Sequence, residues 1–552
     1  MSRAVKPEAK RAAPAPAPAD AAQVFLIGCG KADEGNGEVS PQKMGFKAFN
    51  LLRMATLGLT VPPAFVLGTR YCTAYADDSA QSARTHGELS AAWPAALSRV
   101  EEATGLRFGD ARRPLLLSVR SGAPVSMPGM METLLNVGLT DRTLNGFIGL
   151  TGNPRLAWDA YRRLVATYGE VVAGVPAAAF EEELTRVATG RDERELDFAQ
   201  LRDLARSFLA VYRESAGLPF PQDAGEQLQQ SIDAVFRSWM SQRACDYRRV
   251  NHIDDRVGTA VTAQAMVFGN AGGMSGAGVG FSRDPVSGDS ALWVDFLFNG
   301  QGEDVVSGRR SAHGHDVLAG TLPHVWEELS KAAGALERSF GDMQDFEFTV
   351  QEGRLYMLQT RSGKRAPRAA ARIALDLLEE GVISRDEARI RVSGLNEDTL
   401  VISRVVAGDG KALSPLAAAA SANGGVASGE IALDETRARD RHAAGVAVIL
   451  VRRDAETAYM GAMEAASGLL TEHGARTSHA AVVARQLGKV CLVGCEKLKI
   501  DEAARRVRLG DLELAEGSII TLDGNEGLIY QGATRVELDR PGGLLKRLAA
   551  LR

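Results

Sequence analysis

Residues 345–361 read DFEFTVQEGRLYMLQTR, and the strict alternation of their first half calls for an extended strand. Asp345, Glu347 and Thr349 fall on one face, Phe346, Phe348 and Val350 on the other. Glu352–Gly353 supplies a turn, and on the return strand Gln359 and Arg361 share a face. A hairpin of this kind brings two carboxylates, an amide and a guanidinium onto one platform. Hard oxygen ligands suit Mg2+ bridging phosphate oxygens, and an arginine suits charge developing on a transferring group. The same pattern also describes an ordinary amphipathic hairpin with a solvated polar face.

A second stretch, residues 470–485, reads LTEHGARTSHAAVVAR. It predicts a tight turn through Gly474, a Thr477–Ser478 cap and a helix of small and branched residues with His479 in its first turn. Backbone N–H groups at a helix start lack intrahelical partners and the macrodipole is positive there, so an anion on the imidazole would be stabilised. Neutral imidazole is also a competent nucleophile near pH 7. From spacing alone, His479 is equally one of eight histidines that happens to follow a cap.

Elsewhere, Gln23–Gly28 reads as a strand followed by a glycine-rich turn through Gly30, Gly35 and Gly37, and residues 43–59 have helical spacing ending at Gly58. Lys47 on that helix reads as a solvated lysine by pattern. Residues 114–138, PLLLSVRSGAPVSMPGMMETLLNVG, predict a buried strand delivering Arg120 at its end, then a donor-rich loop before a helical turn. Such an arginine serves either bidentate phosphate recognition or a structural ion pair. Residues 153–249 are helical in period. Residues 258–284 predict two strands around the glycine turn NAGGMSGAG, with Arg283 after them, an arrangement suited to lie over phosphates. Glu303 and Asp304 follow another glycine turn.

A chain of 552 residues is too long for one core and implies roughly two to four domains. A net charge of −5 with scattered Lys and Arg gives no case for nucleic acid, and no window approaches a membrane span. The five cysteines are too few and too spread for a disulfide framework, and Cys491 and Cys495 lack companion zinc ligands; a reducing cytoplasm is expected. Residues 1–21, rich in Ala and Pro, read as a disordered lead.

The string TSHAAVVAR resembles the phosphohistidine signature of the PEP-utilising enzymes, in particular the pyruvate phosphate dikinases. VRSG, SMPGM and LQTR, with VPPAF at 61–65, resemble the nucleotide domain of the same family. The resemblance implies an α/β fold: an α+β ATP-grasp domain over 22–365 with a helical insertion about 153–250, a helical linker over 366–405, a swivelling α/β phosphohistidine domain over 406–535 and a tail over 536–552. It implies that His479 becomes phosphorylated and that Lys47, Arg120, Gly129, Thr133, Glu303, Asp345, Glu347, Gln359 and Arg361 surround ATP. Gly45 would allow close approach, and Glu347 and Gln359 would position the metal, Mg2+. Thr477 matches a threonine that a regulatory protein modifies in the plant enzymes.

Ala475 and Arg476 depart from the family's usual glycine and methionine, and Pro415 is not followed by the usual glycine. The expected activity is phosphorylation of His479 by ATP and inorganic phosphate, with release of AMP and pyrophosphate. The phosphoryl group would then pass to pyruvate. Full-length dikinases continue into a PEP/pyruvate barrel of about 200 residues or more, so a separate barrel subunit is the expected partner. Transfer to another small acceptor, as in rifampin phosphotransferases, and a non-catalytic ATP-binding regulator are the alternatives.

Overall fold

The structure, a computed structural model, describes residues 23–30, 38–75, 79–125, 127, 131–189, 191, 193–306, 313–406, 413–454, 460–474, 476 and 479–551. For a few residues within elements, Glu303 and His479 among them, it describes the backbone alone. Among the described residues, no helix is long and apolar enough to cross a membrane.

The first sheet holds Val24–Ile27, Ala64–Leu67, Ala260–Ala265, Leu117–Gly122 and Thr133–Val137 in that spatial order, with every neighbour antiparallel. Leu117, Val119 and Val261 share a core with helices lying between Asp141 and Val250. Within it, the Phe220 ring meets Tyr161, Tyr168 and Tyr212 edge-on at 6.1, 5.3 and 5.4 Å. The helical region therefore completes the core of the first sheet, since its apolar stripes have nowhere else to go.

The second sheet runs His313–Gly314, Trp293–Phe298, Gly276–Phe281, Gln344–Gln351 and Arg354–Ser362, again antiparallel throughout. Residues 258–284, expected to pair around their glycine turn, instead cross between sheets: Ala260–Ala265 belongs to the first and Gly276–Phe281 to the second. Helix Phe46–Thr56 lies between the sheets, burying Ala48, Leu51 and Met54 in one cluster with Phe25, Ile27, Phe346, Phe348 and Met357. The single helix expected over 43–59 is broken into Pro41–Met44 and Phe46–Thr56, because Gly45 takes φ 76°. A Cβ there would stand 1.8 Å from the Gly122 carbonyl oxygen, so only glycine fits. The close approach at Gly45 is thus made by the protein's own backbone.

The C-terminal unit is an eight-stranded mixed sheet. Its centre is parallel, from Val426–Ala432 through Val448–Arg452 and Gly468–Thr471 to Val490–Val493. Ile519–Asp523 and Leu528–Gln531 pair antiparallel as a closing hairpin. Apolar residues cover both faces, as a parallel sheet requires. Strand Ile402–Val405 enters this unit and pairs antiparallel with Val536–Asp539, which leaves it. The last helix, Gly542–Leu551, buries Leu548 and Leu551 against Ala371, Ala374 and Leu375 of helix Pro367–Glu379. Residues 542–551 are therefore folded against the linker helices.

Candidate nucleotide site

The hairpin forms with Glu352 at φ 51° and Gly353 at φ 79°, the left-handed pair of a tight two-residue turn. Asp345 stands opposite Arg361 and Glu347 opposite Gln359, all four on one face. That face depends on an irregularity. The register runs Gln351 to Arg354, then Phe348 to Met357, then jumps to Glu347 opposite Gln359, leaving Leu358 as an extra residue. The bulge changes the phase of the return strand, so Leu355 and Met357 enter the core while Gln359 and Arg361 join the carboxylates.

Arg361 Nε donates to Asp345 Oδ2 at 2.8 Å. The Asp345 side chain is only 6% exposed and Arg361 39%, so the carboxylate anchors an arginine that still faces the cleft. Burial lifts the Asp345 carboxyl above its ordinary range against the pull of Arg361, and the negative charge of Glu347 adds to the rise. Burial acts downward on Arg361, but Asp345 and Glu347 outweigh it and hold the guanidinium firmly charged.

Lys47, in the first turn of helix Phe46–Thr56, meets this platform from the other sheet's side. Solvent reaches the residue, yet the surrounding protein depresses its ammonium below the usual lysine range by desolvation. Arg120 and Arg361 add to the depression and Glu347 opposes it. Three cations and one carboxylate thus converge. Arg120 lies in strand Leu117–Gly122, two residues short of its end, opposite Thr133 on one side and Thr262 on the other. Its Nε is buried without a hydrogen-bond partner among the described residues. Thr133 begins a strand, Thr133–Val137, where a helical turn was expected.

These features fit a nucleotide carrying its own metal. An unpartnered guanidinium N–H and a depressed lysine are both relieved by phosphate oxygens. Among the described residues no three His, Cys, Asp or Glu side chains are grouped to hold a metal. Glu347 and Gln359, opposite each other across the paired strands, offer hard oxygen ligands of the kind Mg2+ takes beside waters and substrate phosphates.

Gly129 and Thr477 lie outside the described residues. Glu303 is placed by backbone in the short helix Gly302–Val306, beside Asp304, whose Oδ1 is 3.6 Å from Arg163 Nη2 of the helical region. Arg283 does not join the cleft: it is 2% exposed and bound by Glu337 and Glu380, because the crossover between sheets turns it toward helices Pro323–Phe340 and Pro367–Glu379. His479 opens helix His479–Gln486 as expected. Sequence reasoning missed Asn50, 1% exposed, whose Nδ2 donates to the Thr360 carbonyl at 2.8 Å and ties the helix of Lys47 to the hairpin. A buried amide one turn along from Lys47, among apolar neighbours, was the available signal.

Residues 77–323 and 322–381 match the model of the pyruvate phosphate dikinase AMP/ATP-binding domain. Residues 445–527 match that of the mobile domain of PEP-utilising enzymes. The pyruvate, phosphate dikinase of Clostridium symbiosum is 41% identical over 522 residues, covering 94% of this chain and 59% of the relative. Pyruvate, phosphate dikinase 2 of Zea mays is 42% identical over 523 residues, with the same coverage of 94% and 59%. The Rhizobium meliloti pyruvate, phosphate dikinase is 41% identical over 532 residues, covering 92% of this chain and 58% of the relative. The chain therefore spans less than two thirds of the length of these relatives.

Proposed function

Because this chain belongs to the pyruvate phosphate dikinase family, we propose that it carries out the nucleotide half of a dikinase reaction. ATP lies across the hairpin platform with its phosphates held by Lys47, Arg120 and Arg361, and with Gly129, Thr133 and Glu303 completing the cradle. Mg2+ at Glu347 and Gln359 supplies charge neutralisation at the phosphate oxygens. The imidazole of His479 attacks the β-phosphorus, the bond to the α,β-bridging oxygen breaks, AMP leaves and a pyrophosphoryl group stays on the ring. Inorganic phosphate then attacks the γ-phosphorus and departs as pyrophosphate, leaving one phosphoryl group on His479. That group passes to pyruvate, forming PEP, on a separate barrel subunit. A reducing cytoplasm suits a chain whose five cysteines are spread over positions 29, 72, 245, 491 and 495.

The observation that supports this most is the single hairpin face that carries Asp345, Glu347, Gln359 and Arg361. A purely structural cluster would pair its cations rather than leave Arg120 Nε bare. The test is incubation with β-labelled ATP, Mg2+ and phosphate, followed by assay for acid-labile label, with His479→Asn alongside. Label on the native protein, absent from the variant and accompanied by AMP, is the expected result. Formation of ADP without labelled protein would overturn the reading. Adding pyruvate and a barrel-bearing subunit should discharge the label as PEP; retention of label would overturn the acceptor assignment alone.

A further inference from the structure

The two halves of the molecule also meet through residues to which the proposed chemistry gives no role. On the nucleotide lobe, Phe281 and Trp293 close adjacent strands of the second sheet, their ring centroids 5.5 Å apart. Opposite them stand two arginines that flank His479 in sequence. Arg476 Cζ lies 4.8 Å from the Trp293 ring centroid and Arg485 Cζ lies 5.5 Å from that of Phe281. Both separations are within cation–π range.

Arg485 does a second job on its own side. It is 6% exposed, and its Nε and Nη2 donate to the Ala422 carbonyl at 3.1 and 2.9 Å while Nη2 also reaches the Arg476 carbonyl at 3.3 Å. The fork thus fastens the turn bearing Arg476 to a strand edge. Its Nη1 is buried without a partner among the described residues, and Asp345, Asp284 and Asp295 of the lobe act on it electrostatically. Two cations on one half therefore face two rings on the other, a pairing of complementary shape and chemistry.

We propose that Arg476 on Trp293, backed by Arg485 on Phe281, is a docking latch that presents the helix headed by His479 to the nucleotide platform. Arg476 and Arg485 are then positioning residues for the ATP half-reaction. The contact at Arg476 has the right strength for a latch: a half-buried guanidinium on a half-buried ring shifts an equilibrium roughly several-fold, enough to favour docking without locking it. The consequence for catalysis rests on the reading of His479 given above; the docking contact itself does not.

The interface supplies its own reporter. A Cβ on Gly424 of the C-terminal unit would stand 3.2 Å from Val286 Cγ1 of the lobe, so Val286→Cys with Gly424→Cys places two thiols near disulfide distance. The rate of cross-linking under mild oxidant in the full chain, with each single-cysteine variant as background, measures docking without any chemistry at His479. Arg476→Met should slow it about five-fold. Trp293→Ala should do the same, and the two together no more than the slower one alone. Because Trp293 also packs on Phe281, Arg476→Met, which leaves the lobe intact, is the deciding variant. Labelling of His479 by ATP should fall in parallel with ATP affinity unchanged. Cross-linking within two-fold of the parent in Arg476→Met overturns the latch, whatever labelling does. Slower cross-linking with undiminished labelling overturns the positioning role. A parent protein that takes no label refutes the reading of His479, while cross-linking still decides the latch.

Discussion

At the nucleotide platform, Asp345 and Arg361 face each other on paired strands, and Asn50 ties the helix of Lys47 to the Thr360 carbonyl beside them. Near His479, by contrast, the contact that holds the Arg476 carbonyl among the described residues comes from the Arg485 side chain. The first region is rigid because its polar groups sit on a sheet whose other face is core. The second is a turn before a helix, carried on a unit joined to the rest through the strand pair Ile402–Val405 and Val536–Asp539. The groups proposed to hold a triphosphate sit mostly on strands, with Lys47 on a helix tied to them, and the group proposed to travel is built on a loop end.

The contrast can be broken at several points. Removing a charge from the platform should leave the fold intact and damage chemistry most: Lys47→Ala or Arg120→Ala is expected to slow His479 labelling by about 10²–10³-fold in rapid-quench assays. A fall below ten-fold would mean the platform is not where charge develops. Arg485→Ala should weaken docking as Arg476→Met does and, in addition, lower stability. Losing its charged hydrogen bonds to two carbonyls costs about 2 kcal/mol, read as a lower denaturation midpoint for the C-terminal unit with the nucleotide lobe unchanged. A loss shared equally by both units would show that they unfold together.

A smaller effect concerns pH. Desolvation, Arg120 and Arg361 depress Lys47 in the free protein, and a bound triphosphate pushes its pKa back up, so binding takes up protons at pH values between the two. ATP affinity should therefore fall as pH rises through the depressed value, with the slope abolished in Lys47→Gln; calorimetry in buffers of different ionisation enthalpy checks the proton uptake. The smallest difference is expected at the cysteines, where the two regions are alike. Burial pushes Cys72 of the nucleotide lobe up to about 11 and Cys491 of the C-terminal unit up to about 12. Thiol titration at pH 8 should modify Cys29 and Cys245 first and leave Cys72 and Cys491 until unfolding.

Much of this site is local in origin and hence legible in the chain. Alternation from Asp345 to Val350 has a period of two whatever surrounds it, so the carboxylate face and the phenylalanine face were determined by sequence alone. The same holds for the helix start at His479, where the turn and cap residues precede a run of small helical residues. The Gly45 break was not legible, since its cause is the Gly122 carbonyl 77 residues away in the chain. Nor was the path of Arg283, because pairing partners for the strands around the glycine turn come from distant segments.

The return strand of the hairpin divides the two kinds of information most clearly. Leu355, Met357, Gln359 and Arg361 are all odd-numbered, and unbroken pairing from Gln351 with Arg354 would set Gln359 opposite Phe346 and Arg361 opposite Gln344. Two apolar and two polar side chains would then share one face. The residue types and the turn were dictated by the chain itself. Which way Gln359 and Arg361 point was decided only when the core took in Leu355 and Met357, because burying them while keeping a guanidinium at the cleft requires the extra residue at Leu358.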